Sequence, residues 1–270
     1  MLHRRLFDRT KLILEIFEKS AHSAEGKTQV AIAILEHDKT RMAGKGIHMS
    51  QQAGGIGQHG GPGETQKEKE KRHIETSILK LQKQLETIQK ARQTQRKQRL
   101  NSGVKQLCLI GYTNAGKSTI LNALTKSNIL AENRLFSTLE TTTRELYING
   151  KKKGVLSDTV GFIQQLPHQL IEAFKSTLSE LEFADLLIQV IDVADQNWPA
   201  HIKVVNQIVQ ELGLEHKEML YVFNKIDAAP DLNYERLEPY QPHVVVSAAS
   251  KQGLKELIDY LDQWEPNAAE

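Results

Sequence analysis

The sequence predicts an α/β protein in two parts: an antiparallel α-helical hairpin over residues 1–102, then a domain on a mostly parallel sheet over 103–270. Three observations predict it. Residues 64–102 carry apolar side chains at helical spacing, with no proline or glycine after Gly63. A glycine-rich segment, 43–63, separates that stretch from an earlier helical one. From Val104 onward, short apolar runs alternate with amphipathic stretches, the pattern of strands joined by helices.

The first helical stretch opens at Asp8-Arg9-Thr10, where Asp8 suits a helix cap. Leu12, Ile13, Ile16 and Phe17 then share a face, and Val30, Ala31, Ile34 and Leu35 resume it. Gly26 stands between and either breaks or weakens the helix. The second stretch is clearer. Ile74, Ile78, Leu81, Leu85 and Ile88 form an apolar seam of the kind one helix turns toward another. At about 1.5 Å per residue it is on the order of 50 Å long. Pro62-Gly63 stops anything helical entering from the left.

The remaining elements follow in order. They are a strand at 104–110, a helix at 117–126, strands near 144–149 and 153–157, and a helix near 168–181. A strand at 185–191, a helix at 198–212, strands at 218–223 and 243–246 and a helix at 251–263 complete the domain. Alternation of this kind implies a mostly parallel sheet with helices on both faces.

Composition excludes little but directs attention. The formal net charge of +2 selects no partner. Locally, residues 64–105 hold twelve Lys and Arg against five Glu, so this helix can follow a phosphate backbone. The bland reading is a solvated helix with a floppy linker. Cys108 is the one cysteine, so no intramolecular disulfide forms, and inside an apolar run it reads as core filler. No apolar run is long enough to span a membrane, and the N-terminus lacks a signal-peptide core. A soluble cytoplasmic protein is expected. His48 and His59 have no Cys or carboxylate cluster beside them and are not read as metal ligands.

The chemistry begins at Gly111-Tyr112-Thr113-Asn114-Ala115-Gly116-Lys117-Ser118-Thr119. This is a phosphate-binding loop between a strand and a helix. Backbone N–H groups and the helix N-terminus cradle phosphate oxygens. Lys117 brings a charge to the outer phosphates, and Ser118 offers a hydroxyl to magnesium. Asp158-Thr159-Val160-Gly161 ends a later apolar run. Its aspartate can hold magnesium through water, and its glycine N–H can sense a terminal phosphate. Asn224-Lys225-Ile226-Asp227 follows another apolar run. A carboxylate at Asp227 can accept from both N1–H and N2–H₂ of guanine, a donor pair adenine lacks, while Lys225 lies along the base. Ser247-Ala248-Ala249 follows the last strand, where a backbone N–H can meet guanine O6. Four motifs in this order resemble a Ras-like, translation-factor-class P-loop GTPase domain. A threonine from the loop between Ser118 and Asp158 must reach magnesium, and Thr138, Thr141, Thr142 and Thr143 all qualify.

Two positions bear on hydrolysis. Phe162 stands where the best-known GTPases carry the glutamine that orients water. Gln164 and Gln165 are close but wrongly spaced, so slow intrinsic turnover completed by a partner or ion is expected. Asn114 admits two readings: a turn residue, or a ligand of potassium placed where an arginine finger would otherwise act.

The segments DRTKLILEIFEKSAHSAEGKTQV (8–30), AGGIGQHGGPGET (53–65), GYTNAGKST (111–119), LFSTLETTTR (135–144) and DTVGFIQQLPHQLIEAFKSTLSE (158–180) together resemble the HflX family of bacterial GTPases. The resemblance implies a helical domain before a GTPase domain, GTP hydrolysis to GDP with Mg²⁺, and binding to the large ribosomal subunit and its RNA. It implies splitting or rescue of stalled ribosomes under stress, by a protein expected to be monomeric. It makes Thr138, within Phe136-Ser137-Thr138-Leu139-Glu140, the magnesium threonine, and it makes a hydrophobic residue at 162 ordinary. Lys117, Thr138, Gly161 and Asn114 are then the expected catalytic group. The family pattern also has an α/β subdomain before the helices and often a short domain after the GTPase domain. Its glycine loop runs closer to GIGTRGPGET, where this chain has Gln58-His59-Gly60-Gly61. The alternative is a shortened paralogue that binds GTP and regulates a non-ribosomal partner.

Overall fold

The structure is a computed structural model describing residues 8–44, 66–101, 103–125, 141–163, 180–250 and 252–266. The described residues fall into two compact units, one ending at Gln95 and the other beginning at Arg96.

The first unit is helical. Helix α1 spans Arg9–Ser20, α2 Ala24–Gly44 and α3 Gln66–Asn101, the last running on past the unit boundary at Gln95. Asp8 caps α1 by accepting the Lys11 amide at 2.7 Å. That hydrogen bond holds the Asp8 carboxyl below the usual carboxylate range, helped by His37 at 3.2 Å and Arg41. The α1 face predicted to be apolar is buried at Ile13 and Phe17, but Leu12 is exposed. The break does not fall at Gly26. The chain leaves the helix over 21–23 and restarts at Ala24, because the Ser23 hydroxyl accepts the Gly26 amide at 3.0 Å. A serine cap three residues ahead decides the boundary, and Gly26 stays helical. Lys39 near the end of α2 pairs with Glu75 near the start of α3 at 2.9 Å, as in an antiparallel hairpin. On α3, Ile78 is buried while Ile74, Leu81, Leu85 and Ile88 are half-buried. Most of the glycine-rich tip lies outside the described residues.

The second unit is built on six strands: β1 Gln106–Gly111, β2 Thr142–Ile148, β3 Lys151–Asp158, β4 Leu186–Asp192, β5 Met219–Asn224 and β6 His243–Val245. Their order is β2-β3-β1-β4-β5-β6. All neighbours are parallel except β2 and β3, which pair antiparallel. The two are joined by Asn149-Gly150, both at positive φ. That turn forces a hairpin where alternation alone predicts a crossover.

Helices cover both faces. On one, α4 (Lys117–Thr125) and α6 (Lys255–Gln263) bury Ile120, Leu121, Leu257 and Leu261 against Leu107, Leu109, Ile188 and Val222. On the other, α5 (Trp198–Glu211) sets Val205, Ile208 and Val209 against Cys108, Ile110 and Leu187. Cys108 is core filler as expected. Strand β1 lies between β3 and β4, so the chain leaves its carboxyl end where the connections diverge to either side. In open α/β sheets ligands bind at such a point. The helix expected near 168–181 lies outside the described residues up to 179. A short 3₁₀ turn, Leu181–Phe183, leads into β4.

Candidate functional site

The phosphate loop grows directly out of β1. Gly111 is the last strand residue, and α4 begins at Lys117. Between them Asn114 takes φ 63° and Gly116 φ 99°. A Cβ on Gly116 would lie 2.3 Å from Nδ2 of Asn224, so the loop can only be this tight with glycine there. The turn leaves the N-terminus of α4 facing the cradle.

Lys117 is buried and folds back over the loop. Its ammonium donates to the carbonyls of Gly111 at 3.1 Å and Tyr112 at 3.0 Å. Burial pushes its pKa down to about 8, with the Asp158 carboxylate opposing the shift. A buried ammonium so placed gains most from an incoming phosphate.

Asp158 ends β3 beside the loop, because β1 and β3 run parallel with Leu109 opposite Asp158. The Ser118 hydroxyl donates to Asp158 Oδ2 at 2.5 Å. A hydroxyl and a carboxylate are hard oxygen donors of the kind magnesium takes alongside phosphate oxygens. Among the described residues no cluster of three or more His, Cys, Asp or Glu could hold a metal unaided. The pair therefore fits an ion brought with a nucleotide. Thr159 is buried and donates to the Leu109 carbonyl at 2.7 Å, which keeps the strand end in place, and Val160 is core.

Gly161 meets the cradle. A Cβ there would come within 2.8 Å of Thr113 Cγ2 and 3.2 Å of Lys117 Nζ. Phe162 then bridges to the loop in parallel fashion. Its amide donates to Gly111 at 3.1 Å, and its carbonyl accepts from the Thr113 amide at 2.8 Å. Its ring is fully buried with Ile110, Leu181 and Val205. The side chain at this position is thus a core anchor and not a group directed at phosphate.

The motifs expected to read the base lie at the ends of β5 and β6. Ser247 Oγ donates to Asp227 Oδ1 at 2.6 Å. Lys225 takes φ 66° and its ammonium pairs with Asp192 at 2.6 Å. The Ile226 amide donates to Val246, joining this turn to the chain leading to Ser247, Ala248 and Ala249. Asn224, grouped with the base readers in the sequence, makes two contacts within the protein. Its Nδ2 donates to the Ala115 carbonyl at 2.9 Å, and its Oδ1 accepts the Ala248 amide at 3.0 Å. It is a strut between the phosphate loop and the base-side loop.

The candidate threonines are partly sorted. Thr142 and Thr143 belong to β2, opposite Asp158 and Ser157, and the Thr143 and Ser157 hydroxyls share a 2.8 Å hydrogen bond. Thr141 precedes the strand. Phe136, Ser137, Thr138, Leu139 and Glu140 lie outside the described residues, as do Gln164 and Gln165. Asn114 and Thr119 are exposed.

Sequence reasoning missed one contact of the loop. The Tyr112 ring stacks on His201 of α5, with centroids 3.8 Å apart and planes 7° from parallel. The two residues are far apart in the chain, and nothing local marks the pair.

Residues 20–99 match the family described as GTP-binding GTPase Middle Region, and residues 106–225 the family described as 50S ribosome-binding GTPase. Among curated proteins, the chain is 42% identical to GTPase HflX of Magnetococcus marinus over 261 residues, 96% of this chain and 60% of that one. It is 41% identical to GTPase HflX of Escherichia coli K12 over 262 residues, 96% and 61% of the two chains. The chain thus spans about 60% of the length of these curated relatives. Among solved structures, a GTP-binding protein from Sulfolobus solfataricus in complex with GDP superposes with a TM-score of 0.57 at 28% identity, over 95% of this chain and 71% of that one.

Proposed function

Because the chain belongs to the HflX family of GTPases, we propose that it binds GTP, hydrolyses it to GDP and phosphate, and works as a nucleotide switch on the large ribosomal subunit. The observation that carries this is the convergence on one loop. Lys117, Ser118, Asp158 and Gly161 all meet at the phosphate cradle, while Asn224 ties that cradle to the turn holding Asp227.

Each residue then has a role. The cradle N–H groups and Lys117 hold the phosphates and offset charge that develops as the terminal phosphoryl leaves. Ser118 and Thr138, with Asp158 through water, would hold magnesium, which supplies charge neutralisation on the phosphate oxygens. Gly161 reports the terminal phosphate to the segment that follows it. Asp227 selects guanine, and Ser247 holds its carboxylate in place. Phe162 gives the attacking water no side chain, so turnover by the chain alone is slow. Asn114, exposed at the rim of the loop, is the residue placed to help hold potassium and raise that rate. The basic helix α3 and the glycine-rich segment supply the RNA contact, and no described helix is long and apolar enough to cross a membrane.

The test is GTP hydrolysis by this chain with and without purified large ribosomal subunits, in potassium and then in sodium buffer. Stimulation by the subunits is expected. Hydrolysis that stays at its basal rate, with GTP still bound, would refute the ribosomal part. Equal rates in the two buffers would remove potassium.

A further inference from the structure

Asp192 is the last residue of β4, and Lys225 follows the last residue of the neighbouring β5. The parallel register sets Asp192 beside Asn224, and the Val193 amide donates to the Asn224 carbonyl at 3.0 Å. The ends of β4 and β5 are thus fastened together, with a carboxylate on one and an ammonium just past the other. The two charges meet: Lys225 Nζ lies 2.6 Å from Asp192 Oδ2. None of the four nucleotide motifs includes Asp192.

Both partners are held from behind. The other oxygen of Asp192 accepts the Ala194 amide at 3.0 Å, a turn within its own loop that fixes the carboxylate. Lys225 is fixed at its backbone, which is left-handed at φ 66°. A residue other than glycine keeps that conformation only where its surroundings demand it. With backbone and ammonium both set, the flexible four-carbon stem between them is confined to few courses. A free lysine stem has many rotamers, and laying a ligand along it costs their loss. The pair is not a bare surface contact of the kind that contributes little. Its side chains are only 30% and 20% exposed, and its oxygen is already oriented.

We propose that Asp192 is a positioning residue for guanine nucleotide binding: it holds the Lys225 ammonium so that the lysine stem is laid out in advance as an apolar ledge for the flat face of the base. The assignment rests on the GTP-binding reading, in which Lys225 lies along the base. Asp192 acts through Lys225 and on the base alone, so it serves binding and not the chemical step. The opposite expectation is plain. A carboxylate that acted only as a charge would repel phosphates, and its removal would tighten every phosphate ligand.

Asp192→Asn in the whole chain separates the two contacts of the carboxylate. The amide oxygen still accepts from Ala194, while the amide N–H₂ faces the ammonium, donor against donor. Binding of a fluorescent GDP should weaken roughly fivefold, the scale of ordering one long side chain. KM for GTP should rise by the same factor with kcat unchanged, the mark of a contact equal in ground and transition states. Inorganic pyrophosphate, which has no base, should displace the probe with the parent's inhibition constant. Lys225→Met keeps an apolar stem and removes the ammonium, so Asp192→Asn should add nothing in that background. GDP binding unchanged or tightened by Asp192→Asn would overturn the assignment. Equal losses for GDP and pyrophosphate, or a loss that persists beside Lys225→Met, would overturn it by making Asp192 structural. Should Asp192→Asn not fold, Asp192→Ser, which keeps a hydroxyl for the Ala194 amide, carries the same test. A parent chain that binds neither GDP nor pyrophosphate overturns the nucleotide reading and this assignment with it. A parent that binds both leaves any negative result to count against Asp192 alone.

Discussion

The Ser118 hydroxyl and the Asp158 carboxylate, forty residues apart, share a buried hydrogen bond of 2.5 Å. Ser118→Ala removes the hydroxyl that bonds this carboxylate and that is proposed to reach the ion. Nucleotide affinity in magnesium should fall roughly tenfold or more, the scale of a charge-assisted contact of about 1.5–3 kcal/mol. In EDTA the variant and parent should bind alike. Fluorescent GDP titrations in both conditions check this, and an equal loss in EDTA would remove the metal role.

Asp227→Asn keeps an oxygen to accept from Ser247, so the loop survives the change. It replaces an acceptor for guanine with an amide donor that faces the base's own N–H. GTP affinity should drop roughly a hundredfold, about 2–3 kcal/mol, and xanthosine triphosphate should now bind. Competition between the two nucleotides measures it, and unchanged guanine preference would refute the assignment.

Phe162→Gln should not create a faster enzyme. The residue is fully buried and its backbone is bridged to the phosphate loop. The expected results are a stability loss of about 3 kcal/mol, read by urea unfolding, and no gain in single-turnover hydrolysis. A rate increase would mean that the side chain reaches the phosphates.

Gly111→Ala should strongly destabilise the second unit. The residue has φ 146°, and a Cβ would sit 2.3 Å from the Val190 carbonyl oxygen. Neither the backbone of β4 nor that of the loop can yield. A loss of more than about 3 kcal/mol is expected, visible as a shifted urea midpoint even without nucleotide.

Burial lowers the Lys117 pKa to about 8. Between that value and the ordinary lysine value of about 10.4, the unfolded chain holds the proton and the folded chain does not. Lys117 therefore makes stability rise with pH through that window. An incoming phosphate restores the ammonium, so nucleotide binding takes up a proton there and weakens as pH rises. At pH 8.5 the uptake should be roughly three-quarters of a proton. Calorimetry in two buffers of different ionisation heat measures it, and zero uptake would contradict the assignment.

Much of this was legible in the sequence because it is local. The phosphate loop, the DTVG turn and the strand before Asn224 each declare themselves within about ten residues. The structure places β1, α4, β4, α5 and β5 within a residue or two of the predicted bounds. What was illegible depends on contacts far along the chain. Asn224 sits in a recognisable motif, but that it braces Ala115 needs 109 residues to be folded first. Gln189 hides in an apolar run, where nothing nearby says that its buried amide finds no partner among the described residues. Tyr112 and His201 carry no shared signature. The break at 21–23 does have a local signal, since Ser23 is a cap residue that accepts the Gly26 amide.

The Asn224 strut has a thermodynamic consequence. One amide touches the carbonyl behind the phosphates and the amide beside the base, so neither half of the nucleotide site can adjust alone. A pyrophosphate with no base and a guanosine with no phosphate should each alter the affinity for the other. Reciprocity requires the factor to be the same in both directions.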